Sequence, residues 1–427
     1  MVDALAIRQH TLALALAVTV LSAPIAEAQV CTGDCNGDER VEIWEIVRGV
    51  GIAMNLPDTD SCSAVDRNLD DSVTIDELTL SVNDSLHGCP GQSMAFATAI
   101  AADFTTGGFA SADIAGRAPL FVADAAHPAT TDSVPRAAAG IVLLVNRFGG
   151  DSITARDPRN DYAVLWECST GADSNPQDVV VINANKAYAS LYGSSDLLVF
   201  DPSPAADCSD FEVDRIDLSS LADKDGIPEM TQMALVDGSL YVALQKLTNF
   251  VPSGPGVLAI IDTGLDEVVD SITLQASNPF GATKGLLVRD GALYVSQIGS
   301  FGQADAGLER IDLGTGHSDG LILDEQALGG DLNDFAIFSA TIAYATVGLA
   351  DFTNTLVAFD PSNGTVGDTI IPAGASISDI EINDRGELYV ADRGAAALRV
   401  FDASTGAELA GSGIDTGLPP FEVLFLR

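Results

Sequence analysis

Residues 387–404 read ELYVADRGAAALRVFDAS, and the same two-part pattern returns along most of the 427-residue chain. An apolar run with a tyrosine at its third position is followed by a second apolar run that ends in an aspartate and a turn. The endings are ASADIAG, ITARDPR, LLVFDPS, LAIIDTG, LERIDLG, LVAFDPS and LRVFDAS, with aspartates at Asp113, Asp157, Asp201, Asp262, Asp312, Asp360 and Asp402. Their intervals of 44, 44, 61, 50, 48 and 42 residues predict a repeated β-sheet unit.

The tyrosines of the first run occupy one equivalent position in five repeats. They are Tyr188, Tyr241, Tyr294, Tyr344 and Tyr389. Leu143 of VLLVNR takes this place in the second repeat, and AFATAIA (95–101) is the looser counterpart in the first. Such residues could form an aromatic ligand site. The favoured interpretation is packing between sheets with the hydroxyl bonded at the edge, because tyrosine has an apolar body and a polar tip.

A further strand precedes each tyrosine. Ten residues before the tyrosines lie Asp178, Thr231, Lys284, Asp334 and Asp379, in segments such as PQDVVVI and ISDIEIN. The first repeat lacks such a strand, while LPPFEVLFLR (418–427) reads like one. A ring of sheets must close, because an open edge leaves backbone groups without partners. We therefore predict a mostly β protein, with a seven-bladed β-propeller over residues 95–427 that is closed by the C-terminal strand.

Acidic residues at the starts of the first strands are candidates for a site in the central channel. Asp178, Asp334 and Asp379, with Glu422 and Glu229, could ring one mouth of the channel. Carboxylates that converge without basic partners raise one another's pKa or hold a cation. The alternative, which we favour, is that they accept backbone hydrogen bonds at the strand entrances.

This region resembles the YVTN-type family of seven-bladed propellers and is similar in style to cell-surface antigen and lactonase-like folds. The resemblance rests on the LYVA and LYVS strands and the VFDPS-type turns, and it covers about residues 94–427. It implies an architecture and little about activity.

Two segments near the start of the chain, GDCNGDERVEIWE (33–45) and VDRNLDDSVTIDE (65–77), place oxygen-bearing groups at the same offsets. The predicted ligands are Asp34, Asn36, Asp38, the Arg40 carbonyl, Glu42 and Glu45 in the first loop, and Asp66, Asn68, Asp70, the Ser72 carbonyl, Thr74 and Glu77 in the second. This spacing wraps six or more hard oxygens around one calcium ion, so two ions are predicted. Glu39 and Asp71 replace the usual turn glycine, which weakens a site. The alternative is a pair of loops that disulfides alone hold together.

A helix is predicted after each loop. Ile43, Ile46, Val50 and Met54 share one helical face, and Ile75, Leu78, Val82 and Leu86 repeat it 32 residues later. The doublet resembles the type I dockerin module, an EF-hand relative without the first helix, over about residues 31–89, and a linker would span 90–94. The resemblance implies a cohesin-like partner, although Ile43-Trp44 and Ile75-Asp76 differ between the two halves.

The remaining features indicate export. Arg8, the apolar run 11–22 and Ala26-Glu27-Ala28 predict a signal peptide over residues 1–28. No later segment is long and apolar enough to span a membrane. Six cysteines follow, Cys31, Cys35, Cys62, Cys89, Cys168 and Cys208, and the even count predicts disulfides. The first four could pair in three ways, and Cys168 with Cys208 is the remaining bridge. Secretion, with the periplasm or cell surface as alternatives, is the expected location.

The chain has 61 acidic and 20 basic residues, a formal charge of −41, which disfavours nucleic acid and anionic membranes as partners. No Ser-His-Asp order, HExxH or P-loop is visible. We expect a secreted, calcium-binding, non-catalytic protein whose propeller binds an extracellular protein or polysaccharide. The alternative is a propeller hydrolase, lactonase- or phytase-like, that uses a cation in the channel.

Overall fold

The computed structural model describes residues 32–35, 41–54, 62, 64–65, 73–87, 94–114, 123–138, 140–205, 207–281, 284–409 and 413–426. The predicted signal peptide, most of the predicted linker, Cys31 and Cys89 lie outside the described residues. So do seven of the predicted calcium ligands: Asn36, Asp38, Arg40, Asp66, Asn68, Asp70 and Ser72.

The described strands form seven four-stranded antiparallel sheets, which are the blades of the predicted propeller. In order from the first to the fourth strand, blade 1 contains Pro420–Leu426, Met94–Ile100, Gly107–Asp113 and Ala123–Ala129; blade 2 contains Ser133–Ala138, Ile141–Asn146, Ser152–Asp157 and Ala163–Ser169; blade 3 contains Pro176–Asn183, Lys186–Leu191, Asp196–Phe200 and Glu212–Asp217; blade 4 contains Met230–Val236, Ser239–Leu244, Val257–Asp262 and Glu267–Thr273. Blade 5 contains Leu286–Arg289, Ala292–Gln297, Gly307–Asp312 and His317–Asp324; blade 6 contains Asp331–Ser339, Ile342–Gly348, Asn354–Asp360 and Thr365–Ala375; blade 7 contains Ile377–Ile382, Glu387–Asp392, Ala397–Asp402 and Ile414–Asp415. A two-stranded hairpin, Leu247–Thr248 with Val251–Pro252, interrupts blade 4.

The last strand closes the ring as the sequence predicted. Pro420–Leu426 pairs antiparallel with Met94–Ile100 and is the first strand of blade 1. The first strands of most neighbouring blades contact each other, so they line the centre of the ring. This arrangement brings the starts of the first strands together at one mouth of the channel.

The repeated tyrosines pack between blades, which confirms the structural interpretation of their pattern. Tyr188, Tyr344 and Tyr389 are fully buried. The hydroxyl of Tyr188 donates to Asp266 in a turn of blade 4, and that of Tyr344 donates to the carbonyl of Ala403 in blade 7 at 2.9 Å. In blades 3 and 6 the tyrosine body therefore fills a boundary between two blades while its hydroxyl bonds to the next blade, whereas the hydroxyl of Tyr389 donates to Glu387 of its own strand.

The repeated aspartates at the ends of the third strands cap turns. Oδ1 of Asp360 accepts the Ser362 N–H at 2.9 Å, and Oδ1 of Asp402 accepts the Ser404 N–H at 2.9 Å. The serine hydroxyl bonds also lower the pKa of both carboxyls. A short acceptor at this position satisfies the backbone of a tight turn, which explains why the residue returns in each repeat.

Three helices are described: α1 (Ile43–Ala53), α2 (Ile75–His87) and the short α3 (Glu325–Leu328). The prediction of disulfides is confirmed by two pairs, Cys35–Cys62 and Cys168–Cys208. Such bonds are typical of proteins outside the cytoplasm. Within the described residues, no helix has the length and apolar character needed to cross a membrane.

Candidate functional site

Four of the predicted channel carboxylates occupy one position of the strand register. Asp178 pairs with Ser190, and Asp334 pairs with Thr346. In both first strands the aspartate lies two residues before the residue that pairs with the repeated tyrosine of the second strand. Asp379 pairs with Ala391, and Glu422 pairs with Thr98 in the strand that closes the ring. All four side chains are buried.

In blades 4 and 5 the strand register assigns the aspartate position to residues other than Thr231 and Lys284, which were chosen by counting back from the tyrosines. Ala234 pairs with Tyr241, and the strands run unbroken from there to the turn, without the bulge that blades 3 and 6 have beside their hairpin turns. The position two residues earlier therefore belongs to Gln232. In blade 5 Leu287 pairs with Tyr294, which gives the position to a glycine and puts Lys284 before the strand begins. Thr231 and Lys284 are therefore not equivalent to the aspartates.

The aspartates join neighbouring blades through the backbone. Oδ2 of Asp178 accepts the N–H of Met233 in blade 4 at 2.7 Å. In the same way, Oδ2 of Asp334 accepts the N–H of Ile380 in blade 7 at 2.9 Å. Such charge-assisted bonds are stronger than those between neutral groups. These carboxylates thus have the backbone-acceptor role that the sequence analysis favoured.

Two of the channel carboxylates share a basic partner. Arg136, in the first strand of blade 2, donates through Nε to Asp178 and through Nη1 to Oε1 of Glu422, at 2.5 Å each. Its side chain is largely buried, and the guanidinium holds two carboxylates from different blades at once. A planar fork of donors suits such bridging.

Lys284 forms a second ion pair in the channel. Its Nζ lies 2.5 Å from Oε2 of Glu381, and about a third of each side chain is exposed, 33% and 27%. Burial would lower the pKa of Lys284, but the charges of Glu381, Asp379 and Glu422 outweigh it and raise that pKa. Lys284 therefore stays charged among carboxylates at neutral pH.

Three of the channel carboxyls hold a proton more tightly than usual, and burial is the largest cause for each, including Glu381. Burial, and then the nearby carboxylate of Asp379, raise the pKa of Asp334 well above its ordinary value. Burial also raises the pKa of Glu422 to about 7, although Arg136 opposes the shift. Oε2 of Glu422 is buried and has no hydrogen-bond partner among the described residues. A group that titrates near neutral pH can exchange a proton with a ligand.

Glu229 belongs to a different part of the structure. Its Oε2 accepts the N–H of Leu247 at 2.8 Å, beside the loop that carries Asp223 and Asp225. Burial raises its pKa to about 7, and those two aspartates add to the shift. The prediction that Glu229 joins the channel carboxylates therefore finds no contact to support it among the described side chains.

At the predicted calcium loops, five of the named ligands are described: Asp34, Glu42, Glu45, Thr74 and Glu77. Glu45 is fully buried, with Oε1 accepting the Cys35 N–H at 2.8 Å and Oε2 the Glu42 N–H at 2.7 Å. Glu77 is also buried, and its Oε2 accepts the N–H and hydroxyl of Thr74. Within the described part of the chain, no three His, Cys, Asp or Glu side chains are arranged to hold a metal ion.

Sequence reasoning missed Arg136 and Glu381. Arg136 pairs with Leu143, and Glu381 pairs with Tyr389, so the two residues share one register position in blades 2 and 7. A charged residue within a short apolar first strand was the available signal in both cases.

Together these observations define a seven-bladed β-propeller whose channel contains a buried network of acidic and basic side chains. No protein-family model matches the chain, and no curated protein matches its sequence.

Among solved structures, the chain is similar to a protein from Bacteroides fragilis described as a putative 6-phosphogluconolactonase, with a TM-score of 0.56, 13% identity, and coverage of 78% of this chain and 98% of that one. It is also similar to the dihydro-heme d1 dehydrogenase NirN, with a TM-score of 0.50, 17% identity, and coverage of 77% and 74%. At these identities the likeness shows the fold alone.

Proposed function

We propose that the protein is an extracellular, calcium-dependent docking protein, in which a dockerin-like unit at residues 31–89 attaches a non-catalytic binding propeller to a partner. The supporting observation is the burial pattern of α1. This helix buries Glu45, Gly49 and Gly51 and leaves Ile43, Val47 and Val50 exposed to solvent. With this orientation, α1 presents the Glu45 carboxylate to the loop and an apolar surface to a partner.

The orientation of Glu45 supports calcium binding by the first loop. A glutamate at the twelfth loop position supplies two oxygens to calcium from the start of the following helix. Glu45 lies in the first turn of α1, and its Oε1 reaches back to the N–H of Cys35 near the beginning of the loop. Each carboxylate oxygen has a second lone pair. The donors present are hard oxygens, which fit calcium.

Contacts between the two halves support a duplicated, two-fold unit. A Cβ on Gly33 would approach Ser81 to 2.7 Å, and a Cβ on Gly49 would approach Val65 to 3.0 Å. Gly33 and Val65 are 32 residues apart, as are Gly49 and Ser81, so one contact is the symmetry mate of the other. Paired calcium loops in one compact unit have this internal symmetry.

The exposed side of α1 supports a protein partner. Ile43 is 78% exposed, and Val47 and Met54 are 64% each. With Val50 these residues form one stripe along the helix, at the i, i+4, i+7 and i+11 spacing. The sequence analysis assigned Ile46 to this face, but Ile46 is half-buried. Apolar residues concentrated on one exposed face mark an interaction surface.

Calcium titration tests the proposal directly. The wild-type protein should bind calcium in the range of about 10⁻⁴ to 10⁻³ M that extracellular modules use, measured by isothermal calorimetry. The Glu45→Gln, Glu77→Gln double variant should lose binding. Glu267→Gln, an exposed change in blade 4, is the matched control. Circular dichroism in chelator separates loss of folding from loss of binding. No calcium uptake by the wild type would overturn the proposal and favour loops held by the Cys35–Cys62 disulfide.

A second candidate is a hydrolase that acts in the channel. The observation that favours it is Glu422, whose buried Oε2 and pKa of about 7 suit a proton donor, near the charged Lys284. Because the chain has the fold of a protein described as a putative 6-phosphogluconolactonase, lactones are the first substrates to screen, followed by phosphate esters. Turnover that disappears in Glu422→Gln but persists in Glu267→Gln would support this candidate.

A further inference from the structure

Exposed phenylalanines are confined to one kind of loop. Among the described residues, five phenylalanines are exposed: Phe104 at 63%, Phe148 at 81%, Phe250 at 80%, Phe301 at 65% and Phe352 at 100%. Each lies in the connection between the second and third strands of a different blade, in blades 1, 2, 4, 5 and 6. Single exposed apolar residues are ordinary, but their restriction to one structural position is not.

The topology places these five side chains on the same face of the ring. First strands all start at one mouth of the channel, and each blade is an antiparallel meander, so every second strand ends at that mouth. The connections to the third strands therefore lie on one face, which we call the phenyl face. On the opposite face, Leu265 is the one large apolar residue exposed in a connecting turn of the described chain.

Three of these residues also hold an unfavourable backbone conformation. Phe104, Phe250 and Phe352 have φ angles of 58°, 62° and 64°, in the left-handed region. That region favours glycine and asparagine and is a true outlier for a bulky residue. Asparagine at these positions would relieve the backbone and remove exposed apolar surface. Phenylalanine at these positions therefore lowers stability through backbone strain and lowers solubility through exposed apolar surface. Strained residues of this kind cluster at binding sites.

The phenyl face also contains a groove. A shallow groove of about 280 Å³ runs between the loops that carry Phe250 and Phe301, and Pro252, Gln275 and Ser300 are among its lining residues. Phe280 packs edge-on against Phe301 with ring centroids 6.2 Å apart. Aromatic rings beside a groove can hold an extended segment of another chain.

Charge identifies the kind of segment. Asp103 precedes Phe104, and Asp351 precedes Phe352 in the same A-D-F-T sequence. Hydrogen bonds from Thr105 and Thr353 lower the pKa of both carboxyls. A phenyl ring beside an ionised carboxylate attracts a cation by two means, through the ring face and through the charge. The whole chain, at −41, adds a long-range attraction for positive partners.

The molecule already contains contacts of this kind. The guanidinium of Arg393, from blade 7, lies 5.1 Å from the ring centre of Phe104. The guanidinium of Arg147 lies 5.5 Å from the ring centre of Phe421, at the entrance of the closing strand. Arginine therefore stacks on phenylalanine on this face within the chain itself.

We infer that the phenyl face is a docking surface for an arginine-containing, basic polypeptide segment, held by stacking of guanidinium groups on the exposed rings beside Asp103 and Asp351. This surface is separate from the stripe on α1, so the inference does not depend on calcium or on the proposed docking unit. Charge complementarity favours this occupant over a second copy of the same acidic chain and over an anionic membrane.

A peptide of six Arg-Ser repeats with a fluorescent label is the probe, and anisotropy at physiological ionic strength is the measurement. The wild-type protein should bind the peptide. A variant with Phe104, Phe148, Phe250, Phe301 and Phe352 all changed to Asn should have an affinity at least about tenfold lower. The protein charge is unchanged, so the difference isolates the rings. A Lys-Ser peptide should bind more weakly than the Arg-Ser peptide, because arginine stacks better.

The matched control is Val213→Asn, Leu265→Asn, Val269→Asn, which removes exposed apolar residues away from the phenyl face and should leave binding unchanged. The melting temperature of the five-fold variant should equal or exceed that of the wild type, which shows that it folds. Equal peptide binding by the five-fold variant and the wild type would overturn the inference. So would phenylalanine-dependent dimers in sedimentation, or phenylalanine-dependent binding to neutral phosphatidylcholine vesicles in place of the peptide.

Discussion

The carboxylate of Asp379, in blade 7, accepts the backbone N–H of Val423 at 2.7 Å, and Val423 belongs to the strand that completes blade 1. The bond at this closure is the same as the one from Met233 to Asp178 and the one from Ile380 to Asp334 inside the ring. The ring thus closes with a contact that it already uses between other blades.

Truncation of this acceptor should weaken the closure. Asp379→Ala leaves the buried N–H of Val423 without its acceptor, and we expect the free energy of unfolding to fall by about 1–3 kcal/mol. Asp379→Asn keeps an acceptor and removes the charge beside Asp334, so its loss should be smaller. Urea denaturation measures both, with the exposed Asp368→Ala as control. A loss for Asp379→Ala no larger than that of the control would contradict the role.

Removal of the Arg136 guanidinium, which bridges two blades, should lower the free energy of unfolding by more than Asp379→Ala does. Arg136→Ala leaves the buried carboxylates of Asp178 and Glu422 without their guanidinium partner, and such a loss costs about 3–5 kcal/mol in other buried pairs. The loss should shrink at pH 5, because a protonated Glu422 no longer needs the positive charge. Arg159→Ala, at a half-exposed pair with Asp157, is the control and should cost at most about 1 kcal/mol. Equal losses at pH 5 and pH 8 would argue against the coupling of Arg136 with Glu422.

The raised pKa of Glu422 predicts a pH-dependent stability. The folded protein keeps a proton on this carboxyl up to a pKa of about 7, whereas the unfolded chain releases it near 4.5. Unfolding therefore releases a proton between these values, and the contribution of Glu422 to stability falls as the pH rises through that window. Glu422→Gln keeps the acceptor for Arg136 and removes the ionisation. The melting temperature of the variant should exceed that of the wild type at pH 8 and equal it at pH 5. A lower melting temperature of the variant at pH 8 would refute the assignment.

The two described disulfides should act on different transitions. Cys168–Cys208 links the fourth strand of blade 2 to a loop of blade 3 across 40 residues. Its removal by Cys168→Ser and Cys208→Ser should lower the stability of the propeller by about 2–4 kcal/mol. Cys35–Cys62 lies outside the blades, so Cys35→Ser with Cys62→Ser should leave the propeller transition unchanged. Scanning calorimetry compares the two pairs, and a shift of the main transition by the second pair would contradict this separation.

The sequence predicted the number of blades and the closing strand because both follow from periodicity. In six of the seven blades an aspartate at the end of the third strand, such as Asp360, accepts a turn N–H among the described residues. The second strands carry a packing residue such as Tyr344, so the repeat has a direct physical cause. Register was harder to predict. The hairpin of blade 4 lacks the bulge found beside the turns of blades 3 and 6, which displaces the count to Gln232 by one residue, and no composition signal marks the difference.

Orientation and pairing could not be obtained from the sequence. The apolar period of α1 identifies a stripe, but a helix that buries glycines can turn that stripe outward, as Val47 and Met54 show. Arg136 and Glu422 are 286 residues apart in the chain, and only the closed ring brings their side chains together. Seven predicted ligands between residues 36 and 72 lie outside the described residues, so the calcium loops remain a prediction.

The partnership between Met94–Ile100 and Pro420–Leu426 also sets the order of events during synthesis. One edge of Met94–Ile100 must wait while more than three hundred residues are made, so a growing chain cannot complete the sheet of blade 1 until residues 420–426 have been synthesised. Contacts so distant in sequence slow folding, and a prematurely terminated product would keep a bare edge open to aggregation or proteases. Closure of the ring therefore requires that synthesis reach the closing strand.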